Sequence, residues 1–228
     1  MMKEKTVAFH RKKIVYDHSQ WELLDSIRKK AITVMEKISD FQPILYGSVA
    51  RGDVHKNSDI DFFIEHMPET YLLEMALEDI GIKERCIIQA TPWHLVKGSI
   101  TLFGGETITF PITESKRKEI EFYYFGGAIE LHDLVKGKRM PGVDKRLILI
   151  RPLEDGHMEE EITGREAEVS KILNVSIDIV RERIQVLSRR DKIGRTGVYL
   201  NRTLMKDESF EQVLKEICDK DSNVRRRG

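Results

Sequence analysis

The most constraining feature is a window of eighteen residues, Gly47 to Ile64, reading GSVARGDVHKNSDIDFFI. A short apolar run, Pro43 to Tyr46, ends abruptly in Gly47-Ser48, and a second run, Asp59 to Glu65, alternates acidic and apolar residues. Residues two apart on a strand share a face. Asp59 and Asp61 therefore point one way, and Ile60, Phe62 and Ile64 point the other. Adjacent carboxylates repel, so a strand that aligns two of them needs a cation between them. A hard ion such as Mg²⁺, bound by oxygen and shared with a nucleotide's phosphates, suits that pair. Gly47 lets a backbone approach a ligand closely, and the N–H groups at a helix start favour phosphate. Ser48 adds a hydroxyl donor and Arg51 a fixed positive charge.

The rest of the chain supports a folded protein. Of its 228 residues 40% are hydrophobic and 33% charged, with 38 basic and 38 acidic side chains and no net charge. That length holds one large domain or two small ones. No run approaches the roughly 18 apolar residues of a spanning helix. The start, MMKEKTVAFHRKK, lacks the apolar stretch of a signal peptide, and two cysteines cannot build a disulfide framework or a four-cysteine zinc site. The expectation is a cytoplasmic protein that does not enter membranes. Seven scattered histidines show no metal-ligand spacing.

Periodicity predicts a possible β-hairpin over 6–16, around His10-Arg11-Lys12-Lys13, and a helix over 19–38. Strands are expected at 43–46, 59–65, 86–90, 94–103, 106–113 and 147–151. A helix is expected over 68–80, and another over 116–135, broken at Gly126-Gly127. The run Phe122 to Phe125 reads as core. Lys136-Gly137-Lys138-Arg139 is a basic loop able to meet an acceptor's phosphates. Composition shifts near Pro152, which sets expected domains at 1–153 and 154–228. Thr163-Gly164-Arg165-Glu166 has the form of a capping box.

The Gly47–Ile64 window resembles the nucleotidyltransferase superfamily of DNA polymerase β, in particular its minimal branch. That pattern is Gly-Ser, a short loop and Asp-x-Asp on the next strand, here Gly47-Ser48 and Asp59-Ile60-Asp61, with Ala50-Arg51-Gly52 and Ser58 matching the smaller members. The resemblance implies an α+β fold with a mixed sheet and flanking helices. It implies that Asp59 and Asp61 are catalytic and hold Mg²⁺, and that Gly47, Ser48, Arg51 and Ser58 bind the nucleotide. It implies a nucleoside triphosphate substrate whose nucleotidyl group passes to an RNA or protein acceptor. The family's third carboxylate is expected on the strand at 106–113. There it coincides with Thr109, and Glu106 is in phase with the core-facing residues.

Residues 168–200 resemble the winged helix-turn-helix family, with a turn at Asn174-Val175-Ser176, a second helix, and a wing over 191–200. Between Ser176 and Lys206 eight basic side chains stand against three acidic ones, a net +5. By that resemblance Arg181, Gln185 and Arg189 face a nucleic acid (RNA or DNA), and Arg195 lies on the wing. Such modules also serve protein contact or dimerisation, so a homodimer is compatible with the sequence. The tail Arg225-Arg226-Arg227 reads as disordered. The alternative function is a catalytically degenerate, nucleotide-sensing regulator that binds DNA.

Overall fold

The fold is described from a computed structural model, which covers residues 11–194 and 197–227. Strand β1 (Arg11–Val15) leads into α1 (His18–Lys37), then β2 (Ile44–Tyr46), the single turn α2 (Ser48–Arg51), β3 (Asp61–Phe63) and α3 (Thr70–Leu77). A meander of β4 (Ile82–Gln89), β5 (Val96–Leu102) and β6 (Thr107–Pro111) follows, with α4 (Arg117–Phe125), β7 (Ala128–Glu130) and α5 (Leu131–Val135). The remainder is β8 (Gly142–Val143), β9 (Ile148–Leu153), β10 (Gly156–Glu161), α6 (Glu166–Leu173), α7 (Ile177–Ile193), β11 (Leu200–Thr203), α8 (Phe210–Lys220) and α9 (Ser222–Arg225).

Seven strands form a mixed sheet in the order β11-β4-β5-β6-β3-β2-β7, in which β3 and β6 are parallel and every other pair antiparallel. The helix-facing side of this sheet is apolar. Leu45, Phe62, Ile64, Ile100, Ile108 and Phe110 pack there against Leu24, Ala31 and Met35 of α1, Leu73 and Leu77 of α3, and Phe210 and Val213 of α8. The opposite side carries Asp61, Thr107, Thr101 and Ser99, partly roofed by α4, whose Tyr123 stacks on Phe63 at 3.6 Å between ring centroids. A four-stranded antiparallel sheet, β1-β10-β9-β8, lies beside it. The mixed α+β architecture fits a nucleotidyltransferase fold.

Several expectations change. β1 pairs with β10 (Ile14 with His157) in place of a local hairpin, and residues 6–10 lie outside the described part. The break at Gly126-Gly127 inserts the edge strand β7, and the helix resumes only as the short α5. The boundary expected between 153 and 154 falls in the β9–β10 hairpin. The capping box is not formed as read: α6 is capped at Arg165, and Glu166 accepts from the Gly164 N–H at 3.0 Å.

The helix-turn-helix geometry is present locally, with Asn174 left-handed (φ 52°) and Ser176 capping α7, and the described residues of the expected wing do not pair with one another. α7 runs on to Ile193, and β11 pairs with the β4 edge of the large sheet. The cause is apolar: Leu200 and Leu204 of this segment join the first core, and β11 covers an edge that β4 would otherwise expose. Helices α6 and α7 share a second core with Phe125, Val143 and Leu149. The basic tail is ordered, since the Arg227 guanidinium donates to Glu119 at 2.7 Å and to the Glu114 carbonyl.

Candidate active site

Strands β2 and β3 set the site by register. Tyr46, the last residue of β2, lies opposite Asp61, the first of β3. The chain then leaves β2 through Gly47, whose φ of 85° is left-handed and suits glycine. The Gly47 N–H donates to the Gly127 carbonyl at 2.9 Å, tying the turn to the end of α4. Ser48 Oγ donates to Ser58 Oγ at 3.1 Å, and Ser58 Oγ accepts from the His55 N–H at 2.9 Å. Gly47, Ser48, Ser58, Asp59 and Asp61 are thus gathered at one end of the sheet.

Arg51 behaves otherwise. It is 6% exposed, its Nε and one Nη each donate to Asp53 at 2.9 Å, and its other Nη donates to the Gly126 carbonyl at 2.6 Å. Its charge is engaged inside the protein by Asp53 and the Gly126 carbonyl. Two further arginines hold the same loop. Buried Arg28 of α1 donates to the carbonyls of Val49, Ala50 and Lys138, taking up acceptors that the single turn α2 leaves open. Burial, and then Arg139, push the pKa of Arg28 down to about 10. Arg139 crosses Gly52, where an added Cβ would meet its Cδ at 2.5 Å. It stacks over Trp21 and Tyr16 and donates to the carbonyls of Leu153 and Gly156. Within the basic loop, Lys138 pairs with Asp133 at 2.7 Å, and Lys136 forms no ion pair among the described residues.

The carboxylates stand in contrast. Asp59 is exposed and Asp61 half-buried, and neither forms an ion pair or hydrogen bond among the described residues. Burial first, and the charge of Asp59 second, push the Asp61 carboxyl up to about 6, while Lys145 pulls the other way. Burial and the same aspartates push the Tyr46 hydroxyl upward. Lys145 had no place in the sequence reading. It is exposed on a turn fixed by Asp144, whose Oδ1 accepts from the N–H groups of Arg146 and Ile148. Nothing in its local sequence marks it, since its relation to Asp61 spans 84 residues.

The third acid is absent from the neighbouring strand. The parallel register places Thr107, not Thr109, beside Asp61, and Thr109 beside Phe63. Glu106 is buried at the Gly104-Gly105 turn, with Oε2 lacking any hydrogen-bond partner. No cluster of three or more His, Cys, Asp or Glu able to hold a metal occurs among the described residues. One exposed and one half-buried carboxylate without a protein cation among the described residues nevertheless fit an oxygen-preferring divalent ion whose other ligands are phosphate oxygens and water.

On α7, Arg181, Gln185 and Arg189 are all exposed and fall at four-residue spacing along one stripe. Arg195 lies outside the described residues. His55 and His94 are solvent-exposed side chains.

Residues 28–126 match the family model described as a nucleotidyltransferase domain. No curated protein matches the chain. Among solved structures, Cid1 in complex with its short product ApU aligns at 16% identity over 59% of this chain and 39% of Cid1, with a TM-score of 0.29. A second Cid1 structure, described for its RNA terminal uridylyl transferase activity, aligns at 16% identity over 59% and 38%, with a TM-score of 0.30. This chain spans about two fifths of the length of Cid1. The family match, which contains the whole Gly47–Ile64 window, supports the nucleotidyltransferase superfamily and nucleotidyl transfer in general.

Proposed function

We propose that this protein is a Mg²⁺-dependent nucleotidyltransferase that moves a nucleotidyl group from a nucleoside triphosphate to a hydroxyl of an RNA or protein acceptor. The observation that carries this reading is the pair Asp59 and Asp61, aligned beside Gly47-Ser48 and left without a protein counter-charge. Bound at the two aspartates, the metal would supply charge neutralisation of the triphosphate and of the leaving pyrophosphate. Gly47 and the hydroxyls of Ser48 and Ser58 orient the phosphates, and Lys145 adds a mobile positive charge on the same side. Arg51 positions the loop from within and does not touch substrate. Catalysis is positioning and electrostatic stabilisation, with no covalent intermediate on the protein. The exposed stripe of α7 serves the acceptor.

One observation favours a second reading. Thr107 occupies the place beside Asp61, so the strand supplies no third carboxylate to draw the proton from an acceptor hydroxyl. A nucleotide-sensing regulator would need none. The two readings separate on turnover. Purified protein, Mg²⁺ and each α-labelled nucleoside triphosphate are incubated with an RNA pool and a cell lysate. Label on RNA or protein, absent with Asp61→Ala, supports the transferase. Bound nucleotide without transfer or pyrophosphate release supports the sensor.

A further inference from the structure

Helix α7 carries an arginine where its pattern calls for an apolar residue. Ile179, Val180 and Leu187 are its buried side chains, and Arg183 falls on the same stripe, three after Val180 and four before Leu187. The Arg183 guanidinium lies over the Phe122 ring of α4, 4.8 Å from its centroid, and its Nε is buried with no hydrogen-bond partner. Arg190, two turns further along that stripe, is exposed. Neither arginine forms an ion pair among the described residues, and the adjacent Glu182 is taken by Lys118 at 2.8 Å. Burial, and then the charge of Arg190, lower the pKa of Arg183, while Glu182 pulls the other way. A shielded guanidinium that uses none of its donors on protein is a group in search of an acceptor.

Helix α4 fixes where this pair points. It crosses the polar side of the large sheet from Leu95, whose N–H donates to Glu119 at 2.7 Å, to Gly127, whose carbonyl accepts from the Gly47 N–H at 2.9 Å. Tyr123 lies beneath it on Phe63, and the Tyr124 hydroxyl reaches Glu65, on the side of Phe63 away from Asp61. Successive helix residues turn by about 100°. Phe122 therefore lies on the flank opposite Tyr124, towards the row Asp61, Thr107 and Thr101 that the strand registers align. Exposed Phe122 and the guanidinium over it border the candidate active site from the β6 side. The Gly47-Ser48 turn borders it from the β2 side. In an in-line displacement the attacking and leaving oxygens stand on opposite sides of the phosphorus. With the leaving pyrophosphate at Gly47-Ser48, the attacking hydroxyl comes from the side of Phe122. An exposed aromatic ring beside unpaired arginines suits single-stranded nucleic acid, whose bases stack and whose phosphates take guanidinium donors.

We infer that Phe122, Arg183 and Arg190 form the acceptor subsite, and that the acceptor is a single-stranded polynucleotide held by its phosphates at the arginines and by a base at Phe122. The inference rests on the transferase reading and names its acceptor class. It places the acceptor on the inward face of α7, apart from the outward stripe of Arg181, Gln185 and Arg189.

The test uses the full chain. A fluorescently labelled single-stranded RNA of mixed sequence, without nucleoside triphosphate, probes the acceptor side by anisotropy over a salt series. Mg²⁺-tripolyphosphate, followed by calorimetry, probes the donor side. Arg183→Gln and Arg190→Gln should each weaken RNA binding about tenfold and flatten the log–log salt dependence by about 0.7, the value of one single-strand phosphate contact. Phe122→Leu should weaken RNA binding about tenfold without changing that slope. Tripolyphosphate binding should be the same in all three. Arg190 and Phe122 are exposed, so their variants carry the test even where Arg183→Gln fails to fold. No RNA binding by the wild type, or affinity and slope untouched in Arg190→Gln and Phe122→Leu, overturns the inference. Loss of tripolyphosphate binding in the arginine variants would assign them to the donor and overturn it too. Failure of tripolyphosphate to bind the wild type would strike the transferase reading instead.

Discussion

The two halves of the Gly47–Ile64 window are built on opposite electrostatic plans. In the first half every charge is answered. Arg51 is paired with Asp53, and Arg28 and Arg139 close over the backbone of the same turn. In the second half Asp59 and Asp61 sit side by side with no ion pair, and burial and mutual repulsion push the Asp61 carboxyl up to about 6. The first half is a finished structural element. The second holds two neighbouring carboxylates that no protein cation pairs among the described residues. The comparison teaches which charges hold the fold and which await a partner, a distinction that residue type alone does not make.

The sharpest way to break this contrast is to remove the charge of Asp61. Asp61→Asn should reduce nucleotidyl transfer by about a thousandfold or more, in line with loss of a group acting on the transition state. The same change should raise the apo protein's melting temperature at neutral pH, because it deletes a half-buried carboxylate that lacks a partner. The sign follows from linkage. A carboxyl whose folded pKa is raised from 3.8 to about 6 binds more protons folded than unfolded across that window, so stability falls as pH rises through it. Melting curves from pH 4 to pH 7 should show this slope in the wild type and lose it in Asp61→Asn. Divalent metal affinity should rise with pH over the same range and level off above about 6.

The opposite sign is expected in the first half. Arg28→Met leaves the Val49, Ala50 and Lys138 carbonyls without their donor and should cost about 3 kcal/mol of stability, read by denaturant unfolding. Arg28 was illegible in the sequence. It reads as a polar residue on an amphipathic helix, while its partners lie 21 to 110 residues away. The partners of Arg51 were hidden for a related reason: beside Gly-Ser a cation suggests phosphate, and only the fold shows Asp53 and Gly126 taking its donors.

Legibility followed the range of the interactions. The alternation of Ile60, Phe62 and Ile64 against Asp61 is local, and the structure places these apolar residues in the core as expected. Within the Phe122–Phe125 run, read as core, Tyr123 and Phe125 are buried, whereas Phe122 is exposed. The segment after α7 carried a genuine strand pattern, but a strand pattern does not name its partner. β11 found β4, more than 100 residues earlier. The place of Thr107 beside Asp61 is likewise a register, fixed by the pairing of two strands some 45 residues apart and not by either strand alone.

Smaller effects sharpen the picture. Ser58→Ala removes the acceptor of the His55 N–H and the partner of Ser48, and should cost about 1 kcal/mol. It should weaken triphosphate binding more than it lowers the melting temperature. Smallest is Arg189→Ala on the exposed stripe of α7, which should leave folding and nucleotide binding unchanged. If that stripe meets nucleic acid, the variant should reduce the salt dependence of RNA binding by about one phosphate contact. An unchanged slope would turn the stripe towards a protein partner.

The central claim is that Asp59 and Asp61 are unpaired because they hold a metal with the nucleotide. Mn²⁺ binding, followed by electron paramagnetic resonance with and without a nucleoside triphosphate, tests it most directly. The account predicts Mn²⁺ binding by the wild type that the nucleotide strengthens, displacement by Mg²⁺, and a loss of about a hundredfold or more in Asp61→Asn. Equal Mn²⁺ affinity in the wild type and in Asp61→Asn, with the variant fully folded, would contradict it.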